Sequence, residues 1–326
     1  DNWLTSPWNP ANNVNYTTEN TKLEAEWPHH PAHNPQPFFY SVPEVNNDAT
    51  LLAFQQAFVR KMLDVTLPFG NVLYCMDNET HAPAEWGLYW GAFIRDEART
   101  RGIAASTTEM WNSWDIDDEQ HRGTWGNPEV FNFCDISQNN WQVGQTHYDK
   151  LIWYRDNLLG NGGPWPMNNV KIYGRVGNSR QPMIVRENIE RFWRIVFAGC
   201  ASSRFHRPDS GLGLSDEAQR VIRAARNFTD AFDLFASEPR PDLLGDCADN
   251  ECYLLADPPG TFALYFPAAG EVTLTLGDDR PRRMRVRWFD PQQAEFTSDE
   301  TVECGATLTL TTPGDATSLA LVEAQR

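Results

Sequence analysis

The sequence contains no run of about 18 apolar residues, so nothing in it reads as a membrane span. Its six cysteines, Cys75, Cys134, Cys200, Cys247, Cys252 and Cys304, include no CxxC pair and no zinc spacing. No metal centre and no cofactor is therefore expected. Basic residues are scarce: 27 Lys and Arg against 44 Asp and Glu leave a formal net charge of −17. Such a surface repels phosphate, which argues against nucleic acid and anionic lipid as partners and favours a neutral or cationic ligand. An initial methionine and a leader are also lacking. The chain opens on Asp1 and reads as processed or, from the strand count below, as the later part of a longer chain.

Hydrophobic residues make up 41% of the 326, which places the chain with globular proteins and allows two domains. Cys75, Cys134 and Cys200 lie in apolar runs and read as small buried hydrophobes. Cys247 and Cys252 flank a short acidic loop, which suits either a local disulfide or two free thiols.

Residues 1–50 are rich in Asn, Pro, Trp and His without periodicity and read as a long ordered loop. Beyond them strand-like and helix-like patterns alternate. A helix over 51–64 puts Leu51, Phe54, Phe58, Met62 and Leu63 on one stripe. Further helices are expected over 85–101 (ended by Gly102), 145–159, 185–195 and from an N-cap at Ser215 to about residue 236. Strands are expected over 71–76, 103–108, 130–134, 167–172 and 196–201, with no clear helix over 111–129. This alternation predicts a parallel sheet in an α/β fold. Past residue 240 the pattern becomes short alternating runs at 252–256, 262–266, 271–276, 284–289, 301–304, 307–311 and 318–322, an antiparallel β-sandwich. The predicted domains are 1–239 and 240–326.

In a parallel barrel, chemistry collects where strands end. The strand exits here carry Asp77-Asn78-Glu79-Thr80, then Glu109, then Asp135 with Ser137 to Asn140; the fourth strand ends at Lys171 and Tyr173, and the fifth is followed by Arg204, His206 and Arg207. Two carboxylates at neighbouring strand ends suit glycosidic cleavage: one protonates the leaving oxygen, the other attacks or activates water. Glu79 is the candidate acid, Glu109 the candidate second carboxylate and Asp135 the reserve. The competing reading is that Glu79 or Glu109 forms a buried salt bridge with Lys171 or Arg204.

Thirteen tryptophans are an unusual supply of flat faces for sugar rings. Trp86 and Trp90, at helical spacing, read as core; Trp3, Trp8 and Trp111 read as binding residues. Asn9, Asn12, Asn13 and Asn15 suit either sugar hydroxyls or turn caps. The candidate substrate-binding set is thus Asn78, Trp3, Trp8, Asn13, Trp111, Asn139, Lys171, Tyr173, Arg204 and His206. His29, His30 and His33 sit among prolines without the HExxH arrangement of a metal site.

The run NVLYCMDNET resembles the fourth strand of retaining glycoside hydrolases with (β/α)8 barrels, where Asn contacts the sugar and Glu is the acid/base; the matching residues are Asn78 and Glu79. More widely, SPWNPANNVNYT, TTEM, NNVKIYG, FAGCASSRFHRP, YLLADPPGTFALYF and VRWFDPQQAEF are similar to bacterial glycoside-hydrolase-like proteins whose barrel precedes a β-domain labelled collagen-binding. The resemblance implies a barrel lacking its first three strands in this chain, a secreted or periplasmic location, a carbohydrate substrate and a monomer. It also exposes a departure. Where the retaining pattern closes its seventh strand with a nucleophilic Glu, NNVKIYG offers Lys171. A glycosidase is the expected function; a non-catalytic carbohydrate-binding protein on a degenerate barrel is the alternative.

Overall fold

The computed structural model describes residues 3–27, 36–139, 141–163, 165–173, 182–208, 211–257, 260–277 and 279–325. His29, His30, His33 and Asn140 lie outside them. The chain divides into two compact units: Asp1–Gln138 with Asn157–Pro166, and Asn139–Asp156 with Met167–Arg326.

In the first unit, helix α1 (Ala49–Thr66) starts where the Asp48 carboxylate accepts the N–H of Leu51, and it buries Leu51, Leu52, Gln55 and Leu63. Phe58, expected on that buried stripe, is 58% exposed. Strand β1 (Leu73–Cys75) pairs in parallel with β2 (Ser106–Thr108), Leu73 opposite Ser106 and Cys75 opposite Thr108. Parallel neighbours need a long crossover, and helix α2 (Ala84–Thr100) supplies it, burying Trp86, Trp90, Ile94 and Ala98. Gly102, at φ +73, follows the helix in the left-handed conformation that glycine tolerates best. A short helix, α3 (Glu119–Trp125), occupies a stretch expected to be helix-free; Asp118 caps it through the N–H of Gln120. Strand β3 is only Cys134–Asp135, because Val130 and Phe131 are tied by their N–H groups to Asn127 in a turn.

The second unit carries α4 (Gly144–Gly160) up to Asp156, then β4 (Met167–Ile172), α5 (Pro182–Phe197), β5 (Ser202–Phe205) and α6 (Asp216–Thr229). β4 and β5 are parallel, Asn168 opposite Ser202 and Ile172 opposite Phe205. The fifth strand thus lies later than the expected 196–201: Val196 and Phe197 complete α5, and a turn with Gly199 at φ +73 intervenes. Ser215 caps α6 as expected, through the N–H of Ala218, but the helix stops at Thr229.

Antiparallel strands follow: β6 (Glu238–Pro239), β7 (Leu244–Gly245), β8 (Tyr253–Asp257), β9 (Thr261–Phe266), β10 (Glu271–Thr275), β11 (Arg282–Asp290), β12 (Glu295–Phe296), β13 (Glu300–Cys304), β14 (Thr307–Thr311) and β15 (Ser318–Ala324). One sheet runs β12-β11-β15-β9-β8-β6 with β13 also on β11; the other runs β14-β10-β7. Both contribute to one apolar core, Leu264 and Val286 from the larger sheet meeting Leu274 and Leu310 from the smaller. The period-two alternation is the cause: Val272 and Leu274 of β10 turn inward while Glu271 and Thr275 face solvent.

The fold is therefore mixed α/β with parallel strands, followed by an antiparallel β region. In neither unit do the described parallel strands close into a barrel. Among the described residues no helix is long and apolar enough to cross a membrane. None of the six cysteines is in a disulfide, Cys247 and Cys252 included, and Cys75, expected to be buried, is exposed.

Candidate active site

The chain leaves β1 through Asp77-Asn78-Glu79-Thr80, and hydrogen bonds fix this turn from both ends. Asp77 Oδ1 accepts the N–H of Asn78 at 2.8 Å and Oδ2 accepts the Thr80 hydroxyl at 2.9 Å. Thr80 is itself stitched to the strand exit beyond β2: its N–H donates to Met110 O at 2.9 Å and its carbonyl accepts the N–H of Asn112 at 3.1 Å. Between these anchors Glu79 adopts φ +52, a left-handed conformation that non-glycine residues seldom take. Such backbone costs on the order of 1–3 kcal/mol and persists only where the surroundings over-determine it. The Glu79 side chain is half-buried and Asn78 is exposed.

Glu109 lies differently. It is 1% exposed, accepts the N–H of Met110 at 2.9 Å and packs against Gly87 of α2. Burial, then the charge of Asp77 and, more weakly, that of Asp135 push its carboxyl up to about 8, so it is protonated at neutral pH. A sealed, neutral carboxyl is a poor nucleophile, which speaks against Glu109 as the second carboxylate. Asp135 is 4% exposed, and both its oxygens are engaged by Ser137, one by the backbone N–H and one by the hydroxyl, each at 2.9 Å. Burial also raises Asp77, against the opposing hydrogen bonds from Asn78 and Thr80. The exits of β1, β2 and β3 thus gather Asp77, Glu109 and Asp135 closely enough to affect one another.

Solved structures resemble the chain in fold. A glycoside hydrolase family 5 structure from Bacteroides vulgatus ATCC 8482 matches with a TM-score of 0.56 at 11% identity, covering 82% of this chain and 66% of that one. A second structure, described as "Glycoside hydrolase", gives 0.57 at 11% identity, covering 82% and 68%. The fold is glycoside-hydrolase-like. The chain spans about two thirds of the length of these structures. No protein-family model matches the sequence. No curated protein matches it either.

The N-terminal tryptophans are not presented as expected. Trp3 is 5% exposed and donates its indole N–H to Glu24 O at 2.8 Å, so it is core. Trp8 is half-buried, its ring edge-on to Phe38 and Phe58. Trp111 is 7% exposed, donates to the Thr124 hydroxyl at 3.0 Å and lies against Gly123, bracing its loop. Asn13 caps a turn: its side chain donates to Pro7 O and accepts the N–H of Asn15. Asn9 and Asn12 likewise bond backbone carbonyls of the same loop. Trp114, outside the original set, offers an exposed face.

The remaining candidates belong to the second unit. Asn139 is buried and donates to His147 O at 3.3 Å. Lys171 is 6% exposed on β4. The rings of Tyr173 and His206 lie 4.2 Å apart, the histidine buried, while Arg204 is exposed. Sequence reasoning missed two features. Asp77 organises the Glu79 turn, and its signal was Asp followed three residues later by Thr, whose hydroxyl it accepts. His147, buried against Arg191 and Arg194, gave no local signal.

Proposed function

We propose that this chain is part of a secreted or periplasmic bacterial glycoside hydrolase, a monomer acting on a polysaccharide or oligosaccharide, with Glu79 as the acid/base. In this reading residues 1–239 belong to a (β/α)8-type barrel and 240–326 form a β-sandwich domain. One observation supports it above the others: a half-exposed glutamate at the exit of a parallel strand, held in left-handed backbone by Asp77, Thr80 and the neighbouring exit. Strain kept in place by surrounding bonds is a mark of functional positions. Glu79 would protonate the glycosidic oxygen as the bond breaks and then take a proton from the incoming water. Asn78 beside it would contact a sugar hydroxyl.

A second reading, sugar binding without cleavage, is favoured by two observations. Glycosidic cleavage needs a second carboxylate facing the sugar. Glu109 and Asp135 are both buried, and by the sequence resemblance Lys171 falls where the retaining pattern has an acid. The test uses the intact protein on a panel of polysaccharides and aryl glycosides, with Glu79→Gln beside it. The hydrolytic reading expects new reducing ends, lowered about 10²–10⁴-fold by the substitution while glycan binding persists. Equal turnover by both proteins would remove Glu79 from the role. Binding with no cleavage by the unaltered protein would establish the second reading.

A further inference from the structure

We propose that Glu109 is the positioning residue of Glu79: its buried carboxyl bridges the gap in the β1–β2 ladder from which Glu79 is looped out. Its effect on turnover rests on the reading of Glu79 as the acid/base; its effect on the turn rests on hydrogen bonds alone.

The gap shows in the pairing of the two strand exits. The Met76 N–H donates to Thr108 O at 3.0 Å, and the next rung runs from the Thr80 N–H to Met110 O at 2.9 Å. Between these rungs the β2 side advances from 108 to 110 and the β1 side from 76 to 80. A regular parallel ladder, with side chains alternating at period two, advances equally on both sides. The surplus residues have no place in the ladder, so Asp77, Asn78 and Glu79 bulge from it, as an inserted residue does in a β-bulge. Glu79 carries the consequence as φ +52.

A bulge leaves backbone N–H groups outside the ladder, and a buried donor without an acceptor is costly. Glu109 is the residue between the two rungs on the β2 side, and its side chain supplies what the ladder does not. The carboxyl accepts the Met110 N–H at 2.9 Å and also the backbone N–H of Asp77, the first residue of the bulge. One buried group thus ties both edges of the gap. It has little room to leave, because Oε2 lies against Gly87 of α2. Asp77 in turn accepts the Thr80 hydroxyl at 2.9 Å, which closes the bulge at its far end. Burial, then the charge of Asp77, keeps the Glu109 carboxyl protonated at neutral pH, so a neutral amide is a faithful substitute for it. Glu109 can therefore govern Glu79 without touching a sugar.

The experiment compares Glu109→Gln with Glu109→Met in the full chain. Both keep the length of the side chain; glutamine also keeps a carbonyl oxygen, whose two lone pairs can serve both N–H groups. Hydrogen exchange near pH 6.5 at the Thr80 and Asn112 amides reads the bonds that join the two exits. Protection there should fall roughly 5–30-fold in Glu109→Met, the worth of one to two net hydrogen bonds, and stay near the unaltered value in Glu109→Gln. On an aryl glycoside, Glu109→Met should lower kcat at nearly constant KM, and Glu109→Gln should restore it. Equal protection at these amides in the two variants, or a loss in Glu109→Met that is as large along α1 and α2, would mean that Glu109 serves packing alone and would overturn the proposal. A selective loss at the two amides, with no turnover by the unaltered chain, would support the positioning role and count against hydrolysis only. Should Glu109→Met fail to unfold cooperatively, the unaltered chain decides. Its Asp77 and Met110 amide proton shifts must then move together as Glu109 ionises near pH 8, with Asp77, Asp135 and Cys75 the other titratable groups that face it, and must not do so in Glu109→Gln. Shifts that move independently would overturn the proposal.

Discussion

A β-carbon built on Gly87 would stand 2.3 Å from Oε2 of Glu109, so helix α2 and the exit of β2 share a space that only glycine leaves open. Intrinsic helix propensity would favour alanine at this position by about 1 kcal/mol. Overpacking against a buried carboxyl should outweigh it, so Gly87→Ala is expected to destabilise by roughly 1–2 kcal/mol. In a Glu109→Ala background the space is vacant, and the same substitution should become neutral or stabilising. A double-mutant cycle by denaturant unfolding reads the coupling; additive effects would mean that the two groups do not compete.

Glu109 also predicts a pH dependence. Its folded pKa of about 8 lies above the unfolded value of about 4.3, so between these limits the native state holds a proton that the unfolded chain releases. This contribution is therefore lost as pH rises from about 4.3 to 8 and is flat below that window. Glu109→Gln keeps the acceptor for Met110 and cannot ionise. It should equal the unaltered protein near pH 4 and exceed it by on the order of a few kcal/mol at pH 8. Unfolding free energies measured across this range provide the check, and parallel pH profiles for the two proteins would contradict the raised pKa.

Much of the fold was legible because periodicity is local. The span 167–172 is β4 to the residue, and every antiparallel run past residue 240 has a strand, because inward and outward positions alternate. The failures are where tertiary context decides. The apolar run 196–201 is split between the end of α5 and a glycine turn, and 130–134 is mostly a turn bonded to Asn127. Glu79 was found from its place after a strand, yet its left-handed backbone was not, since long-range bonds from Thr80 to Met110 and Asn112 impose it. Trp3 and Trp111 were misjudged because flanking Asn and Pro suggested exposure, whereas their indole N–H groups reach partners 21 and 13 residues away.

The left-handed backbone at Glu79 can be separated from its carboxylate. Glu79→Ala and Glu79→Gly both delete the acid, but only glycine accepts φ +52 without a β-carbon penalty. The glycine variant is expected to be the more stable of the two by about 1 kcal/mol, and both should be inactive if Glu79 is the acid. Thermal unfolding of the pair decides it. An alanine variant as stable as the glycine variant would show that no strain is held there.

His147 sets an acid limit on stability. The side chain is fully buried, both ring nitrogens lack hydrogen-bond partners, and burial, then Arg194, then Arg191 depress its pKa well below the usual histidine value. The unfolded chain takes up a proton near pH 6.5 that the native state refuses, so stability falls as pH drops below that point, by up to about 1.4 kcal/mol per unit. His147→Leu forfeits no side-chain hydrogen bond and removes this proton uptake. At pH 7.5 the variant should lie within about 1.5 kcal/mol of the unaltered protein, the usual range for a volume-conserving swap. Between pH 7.5 and pH 5 it should lose less stability than the unaltered protein. Burial depresses His121 in the same direction, and that residue is present in both proteins, so the comparison isolates His147. Denaturant unfolding at the two pH values makes the measurement; an equal acid loss in both proteins would mean that His147 is protonated in the native state.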